Sequence, residues 1–368
     1  MQNSLLGAVG MKIVLSGYYG FDNAGDEALL AAITSTIREL EPGCEFVVLS
    51  GHPRRTYALH GIQAVHYMNP CQVIHALWSC DLLISGGGSI FQDVTSARTL
   101  PYYISVVALA RALGKPVIFY SQGMGPINRS FSKFLMRRIG NRVNLITLRD
   151  EESARYVESL GITRPPVVIT ADPVFSLQPD DRDQERIDRV LLQKGLNEAK
   201  IIGVSLRRWD ALDRDLHNLP LVLDELAEMG YRILFIPLAY PEDIEAGQRV
   251  AGAMKSPAYF IEERLSSQEH LALFSRLHLL IGMRLHALIF AASQGTPFAG
   301  ISYDPKVESF LKQFGLAPLD VELAAMRKEI LQMLKPGEAR TGIAEKAAGL
   351  RSRAKESARL AIGLIRDK

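Results

Sequence analysis

Short apolar runs, each followed by a glycine- or serine-marked turn and then a helical pattern, recur along this chain from Lys12 to Ile301. No other feature limits the possible folds so strongly. A strand that is apolar throughout is buried on both faces, and the helix after it returns the chain to the same edge of the sheet. Both halves therefore read as α/β, each a doubly wound parallel sheet. In such sheets ligands bind beyond the carboxyl ends of the strands, so the residues that follow each strand are the first to inspect.

The clearest unit is Leu277–Gly295. Its strand ends at Gly282, and a helix opens at Met283-Arg284-Leu285-His286 and closes at Gly295-Thr296-Pro297. Helix-start amides lack intrahelical partners and carry partial positive charge, which favours an anion. Arg284 adds a forked donor for carboxylate or phosphate, and His286 a group that exchanges protons near neutral pH. Arg149, in the strand ending Leu148-Arg149-Asp150, is a second anion contact, with an ion pair to Asp150 or Glu152 as the plainer alternative. The strand Ile201–Leu206 ends in Arg207-Arg208-Trp209.

The first strand, Lys12–Ser16, leads into Gly17-Tyr18-Tyr19-Gly20-Phe21-Asp22-Asn23-Ala24-Gly25-Asp26-Glu27. These glycines do not follow the dinucleotide pattern, and Asp26-Glu27 stand where a phosphate-binding loop needs Lys-Ser or Lys-Thr. Two carboxylates repel a polyphosphate but accept hydroxyl protons, which suits a sugar. Asp26 is accordingly a candidate base on an alcohol or, alternatively, the N-cap of the helix that follows. The strand Asp81–Ser85 runs into Gly86-Gly87-Gly88-Ser89-Ile90-Phe91-Gln92-Asp93, where consecutive glycines admit a ligand close to the backbone. Candidate sugar contacts are Tyr18, Gly20, Asn23 and Asp26 in the first loop and Gly87, Gly88, Ser89, Gln92 and Asp93 in the second.

With 368 residues the chain has the length of two domains. We expect residues 1–10 to be an extension or cloning remnant, 11–177 a first Rossmann-like domain, 178–200 a charged linker, 201–335 a second Rossmann-like domain and 336–368 a helical tail. A net charge of +2 argues against a dedicated nucleic-acid binder. Cys44, Cys71 and Cys80 lack metal-site spacing and read as reduced thiols, and no metal or cofactor is expected. No stretch is long and apolar enough to span a bilayer, and the first ten residues lack a secretory pattern, so we expect a cytoplasmic protein. Phe131–Arg142 interleaves Lys133, Arg137, Arg138 and Arg142 with apolar residues. It can rest on the inner face of an anionic membrane, or be an ordinary solvated helix.

Taken in order, the 17–27 loop, Gly86–Asp93, Ser121-Gln122-Gly123-Met124-Gly125-Pro126, Arg149-Asp150, Asp172-Pro173 and Met283-Arg284-Leu285-His286-Ala287 resemble the polysaccharide pyruvyl transferase family, and in particular its bacterial cell-wall branch. The resemblance implies a GT-B-like fold, two Rossmann-like domains facing a central cleft. It also implies transfer of pyruvate from phosphoenolpyruvate (PEP) to a sugar as a cyclic ketal. In that branch the acceptor is O4 and O6 of a terminal N-acetylmannosamine on a lipid-diphosphate-linked disaccharide, within secondary cell-wall polymer synthesis for S-layer anchoring. By the same resemblance Arg284, the Leu285 backbone and His286 contact PEP. Arg149 best fits the place of a second clamping arginine by spacing, with Arg207 in reserve. His286 then serves as proton donor, and Asp26 or Glu27 as base. Two rivals remain at this point: a nucleotide-sugar glycosyltransferase using Glu308 on the ribose, and a non-catalytic wall-glycan binder.

Overall fold

The computed structural model describes residues 10–93, 99–208, 216–335 and 338–366. The chain forms two compact units. One takes the chain up to Phe21, Leu30–Asp172 and everything from Ala354 on; the other takes Asp22–Leu29 and Pro173–Arg353. The expectation for residues 1–10 falls, Gly10 apart, outside the described residues.

The first unit is built on a seven-stranded parallel sheet of β1 (Lys12–Tyr19), β2 (Glu45–Ser50), β3 (Gln63–His66), β4 (Leu82–Gly86), β5 (Val117–Gln122), β6 (Leu145–Leu148) and β7 (Val167–Ile169). Their order, β3-β2-β1-β4-β5-β6-β7, reverses direction between β1 and β4. The glycine loops after those two strands thus flank the switch point, where neighbouring crossovers diverge. Helices α1 (Ala24–Leu40), α2 (Pro53–His60), α3 (Pro70–Ser79), α4 (Thr99–Ala112), α5 (Ser130–Gly140) and α6 (Glu151–Ser159) connect them. Alternate strand residues feed two cores. Val14, Leu83 and Phe119 pack with α3, α4 and α5. Ile13, Leu15 and Ile84 pack with Ile33 and Ile37 of α1.

The second unit holds a five-stranded parallel sheet ordered β10-β9-β8-β11-β12: β8 (Lys200–Ser205), β9 (Tyr231–Phe235), β10 (Ala258–Phe260), β11 (Leu277–Gly282) and β12 (Phe298–Gly300). Its helices are α7 (Asp181–Gln193), α8 (Leu219–Glu228), α9 (Glu242–Gly252), α10 (Ser267–Ser275), α11 (Leu285–Ser293), α12 (Pro305–Phe314) and α13 (Leu323–Met333). A final helix, α14 (Glu338–Arg366), starts in this unit and ends in the first.

Three expected boundaries are corrected. Residues 178–200 are not a linker. Asp180 and Asp183 form a capping box that opens α7, which buries Ile187, Val190 and Leu191 and ties Arg186 to Glu269 at 2.9 Å. The charged run is the wet face of an amphipathic helix.

The tail, second, is not separate. Small residues Ala358 and Ala361 of α14 let it pack on the first unit's core. Its buried Ser357 hydroxyl bonds those of Thr147 (3.0 Å), Thr170 (2.9 Å) and Ser121 (2.9 Å). Third, the start of α1 leaves the first unit. Asn23 pairs with Ala239, the Ala24 amide donates to the Leu238 carbonyl at 2.7 Å, and Arg264 bonds Asp22 at 3.1 Å. Asp26 and Glu27 therefore belong to the second unit. Among the described residues no helix is long and apolar enough to cross a membrane.

Candidate functional site

The carboxyl edge of the second sheet assembles the site. The Met283 amide donates to the Ser205 carbonyl at 2.8 Å and extends the β8–β11 pairing by one residue. Arg284 then turns the chain as the N-cap of α11, with extended backbone and no side-chain cap. An apolar helix of nine residues thus opens without a hydroxyl or carboxylate on its first amides. That is the arrangement in which a helix start receives an external anion.

Arg284 is not a loose cation. Its Nε donates to both oxygens of Asp243, at 3.1 and 2.9 Å, and Nη2 also donates to Oδ1. Asp243 is buried and further held by the Leu238 and Ala239 amides at 3.0 and 2.8 Å. The carboxylate aims the guanidinium and balances its charge, leaving Nη1 without a protein acceptor among the described residues. His286, half-buried, lies against the first turn of α1. A Cβ built on Gly25 would stand 2.2 Å from its Nδ1, so glycine is what allows the helix and the imidazole to meet.

That contact brings the start of α1 to His286. Asn23 caps the helix, its Oδ1 accepting from the Gly25 amide at 3.0 Å and from the Asp26 amide at 3.4 Å. The capping alternative for Asp26 is thereby removed, because Asp26 and Glu27 stand inside the first turn. Asn23, expected among the sugar contacts, has this local task.

Arg207 follows β8, and Tyr303 follows β12, with β11 between them. Arg207 Nη1 donates to the Tyr303 hydroxyl at 2.9 Å, and its guanidinium lies 4.7 Å from the ring centroid. The pair reaches over the carboxyl end of β11, where α11 begins. Among the described residues Arg207 has no carboxylate partner, and its buried Nε has no acceptor. The fully buried Ser205 hydroxyl is likewise unpartnered. Glu308 accepts from the Ser302 hydroxyl at 2.9 Å.

The remaining candidates lie in the first unit. Gly87 and Gly88 have φ of +79° and +78°, a backbone that explains the glycine run. The Ser89 hydroxyl accepts from Arg149 at 3.1 Å. Arg149 is paired with Asp172 at 3.1 Å and Asp150 at 3.6 Å, and its side chain is only 6% exposed. Asp93 is buried and accepts from the Asn128 and Arg129 amides at 2.7 and 3.0 Å. Burial pushes its carboxyl up, but those amides and the Ser132 hydroxyl more than compensate and hold it below its ordinary value. It anchors the approach to α5. Tyr18 stacks on Phe21 at 4.3 Å, Gly20 at φ +79° lets Ser50 close on the backbone, and Gln92 is half-buried beside this edge. Among the described residues no group of three His, Cys, Asp or Glu is gathered that could hold a metal.

Comparison with known proteins decides the family. A model of polysaccharide pyruvyl transferases matches residues 23–305, most of the chain and every motif above except the first six residues of the 17–27 loop. The chain belongs to the polysaccharide pyruvyl transferase family. Among its relatives is the amylovoran biosynthesis protein AmsJ of Erwinia amylovora, 24% identical over 297 residues, which cover 76% of this chain and 70% of AmsJ. Similar solved structures include UDP-GlcNAc 2-epimerase from Neisseria meningitidis (TM-score 0.64, 16% identity, 96% of this chain and 100% of that one). Anabaena HepE in complex with UDP-glucose is another (TM-score 0.67, 12% identity, 97% and 100%). At such identities they establish the GT-B-like fold and nothing about chemistry.

Two members of the second sheet's edge escaped sequence reading. Asp243 is one acid among several at the start of α9, and only the fold brings it under Arg284. Ser205 carried a faint signal: a hydroxyl ending an apolar strand, as Ser16 and Ser85 also do. All three hydroxyls are buried without hydrogen-bond partners among the described residues.

Proposed function

We propose that the protein transfers pyruvate from PEP to two hydroxyls of a sugar as a cyclic ketal, and that PEP binds at the carboxyl edge of the second sheet. The observation that carries this reading is the grouping of an uncapped helix start, Arg284, Arg207 and His286 with the acid-bearing first turn of α1. PEP has a carboxylate and a phosphate. The α11 amides, including that of Leu285, together with Arg284 Nη1 and Arg207 offer N–H donors for both.

In the proposed sequence protonated His286 gives its proton to the PEP methylene, which becomes a methyl group, and C2 takes on oxocarbenium character. The first sugar hydroxyl attacks C2 and loses its proton to Asp26 or Glu27. The C2–O bond to phosphate then breaks, the second hydroxyl attacks, and its proton leaves with the phosphate. General acid–base help of this kind contributes roughly 100- to 10,000-fold. Arg207 rather than Arg149 completes the clamp in this reading. It shares a unit with Arg284 and His286 and has no carboxylate partner among the described residues, whereas Arg149 is neutralised.

For the acceptor we propose O4 and O6 of a terminal N-acetylmannosamine on a lipid-diphosphate-linked disaccharide of the secondary cell-wall polymer. The ordered motifs shared with the cell-wall branch support it. The test supplies this disaccharide with PEP or with UDP-sugars and follows phosphate and UDP by 31P NMR. Phosphate release matched by ketal formation supports the reading; UDP release, or no phosphate from PEP with any sugar diol offered, defeats it.

A further inference from the structure

Between Phe46 and Arg149 the chain carries eleven Lys and Arg but only two carboxylates, Asp81 and Asp93, although its overall charge is just +2. Both acids already accept backbone hydrogen bonds: half-buried Asp81 from the Lys12 amide at 2.8 Å, and buried Asp93 from those of Asn128 and Arg129. Of these cations Arg149 is buried and neutralised and Arg98 lies outside the described residues; the other nine are exposed or half-exposed, with few carboxylates in the same stretch.

The same stretch leaves large apolar side chains in water. Helices α3, α4 and α5 lie over one core. On α3, Val73, Ala76 and Leu77 face that core, while Ile74 and Trp78, one turn apart, are 45% and 68% exposed. On α5, Ser132, Met136 and Ile139 face inward, while Phe131 and Phe134 are 68% and 57% exposed. Lys133, Arg137 and Arg138 share the outer side of α5, and Arg142 follows it, all exposed. None of these four cations is in an ion pair among the described residues. Such aromatic rings forgo a favourable transfer out of water unless something apolar receives them. Rings interleaved with cations on a helix face are the composition of an interfacial helix.

We infer that the outer faces of α5 and α3 dock on an anionic lipid bilayer. Phe131, Phe134 and Trp78 enter the boundary between headgroups and acyl chains. Lys133, Arg137, Arg138 and Arg142 meet lipid phosphates. A protein partner would have to supply both acids and an apolar cavity, whereas an anionic membrane supplies both everywhere.

The test is flotation of the full chain with vesicles of phosphatidylcholine alone or mixed with phosphatidylglycerol. Strong partitioning only with phosphatidylglycerol is expected, weakening as salt is raised. Arg137→Glu combined with Arg138→Glu should lower partitioning roughly 25-fold or more, at about fivefold per cation. Phe131→Ser with Phe134→Ser should lower it at least roughly tenfold, with thermal unfolding unchanged because both side chains are exposed. Equal partitioning to both vesicles, or double variants that float like the parent chain, overturns the inference. So does displacement from vesicles by a short single-stranded RNA, which would identify the surface as one for nucleic acid. Flotation involves no turnover, so this result stands or falls apart from the transfer reaction.

Discussion

Each of the two sheets places an arginine just past the end of a strand: Arg149 after β6, and Arg207 after β8. By residue type and topology they are equivalent. Their surroundings are opposite. Arg149 is almost wholly buried and shared between Asp172, Asp150 and Ser89. Arg207 rests on the neutral ring and hydroxyl of Tyr303 and keeps a buried N–H unclaimed. The contrast teaches that position at a sheet edge does not make a cation available. The countercharge around it does, because a desolvated carboxylate nearby satisfies the same donors that a ligand would use. Arg284 falls between the two, held by Asp243 on one side of its fork and open on the other.

The sharpest test of this contrast is His286, which belongs to the open edge. His286→Ala should lower turnover by roughly 100-fold or more while PEP binding by calorimetry stays near the parent value, as expected for a lost proton donor. A near-normal rate removes the imidazole from the chemistry.

The arginines come next. Arg207→Ala should weaken PEP binding roughly 10- to 150-fold, the scale of hydrogen bonds to charged groups. Arg149→Ala should leave PEP affinity alone but destabilise the fold by about 3–5 kcal/mol, because Asp172 is left buried and unpaired. If instead a folded Arg149→Ala variant loses PEP affinity, the comparison is wrong.

Arg284→Ala alone mixes both effects by stranding Asp243. Adding Asp243→Asn should restore much of the thermal stability without restoring PEP affinity, which separates the aiming carboxylate from the ligand contact. The smallest effect is expected at Gly25. Gly25→Ala forces the imidazole aside and should slow turnover roughly 10- to 100-fold, the range for misplacement of about 1 Å. This should happen even though alanine favours a helix by about 0.8–1.0 kcal/mol over glycine. An unchanged rate would show that His286 does not depend on this contact.

Much of this was legible in the residues. Apolar runs with helical segments between them define parallel sheets, because such strands are buried on both faces and their crossovers return on the same side. Gly282-Met283-Arg284-Leu285-His286 announces a helix start at a strand end, and Asp26-Glu27 rule out a phosphate-binding loop through charge alone. Local pattern also misled where the partner is distant. Asp180–Arg186 resembles a linker in composition but is the solvent face of α7, whose apolar residues find their support on α10. The end of α14 has no local sign that Ser357 completes a cluster of hydroxyls from β5, β6 and the residue just past β7.

Backbone pattern, helix starts and the sign of each charge thus follow from sequence, since they depend on neighbours a few residues away. Which arginine is neutralised, which carboxylate aims Arg284, and which glycine receives His286 were decided only by tertiary structure. Those facts depend on groups brought together across long separations, where burial makes each pairing strong enough to determine whether a charge is still free to act.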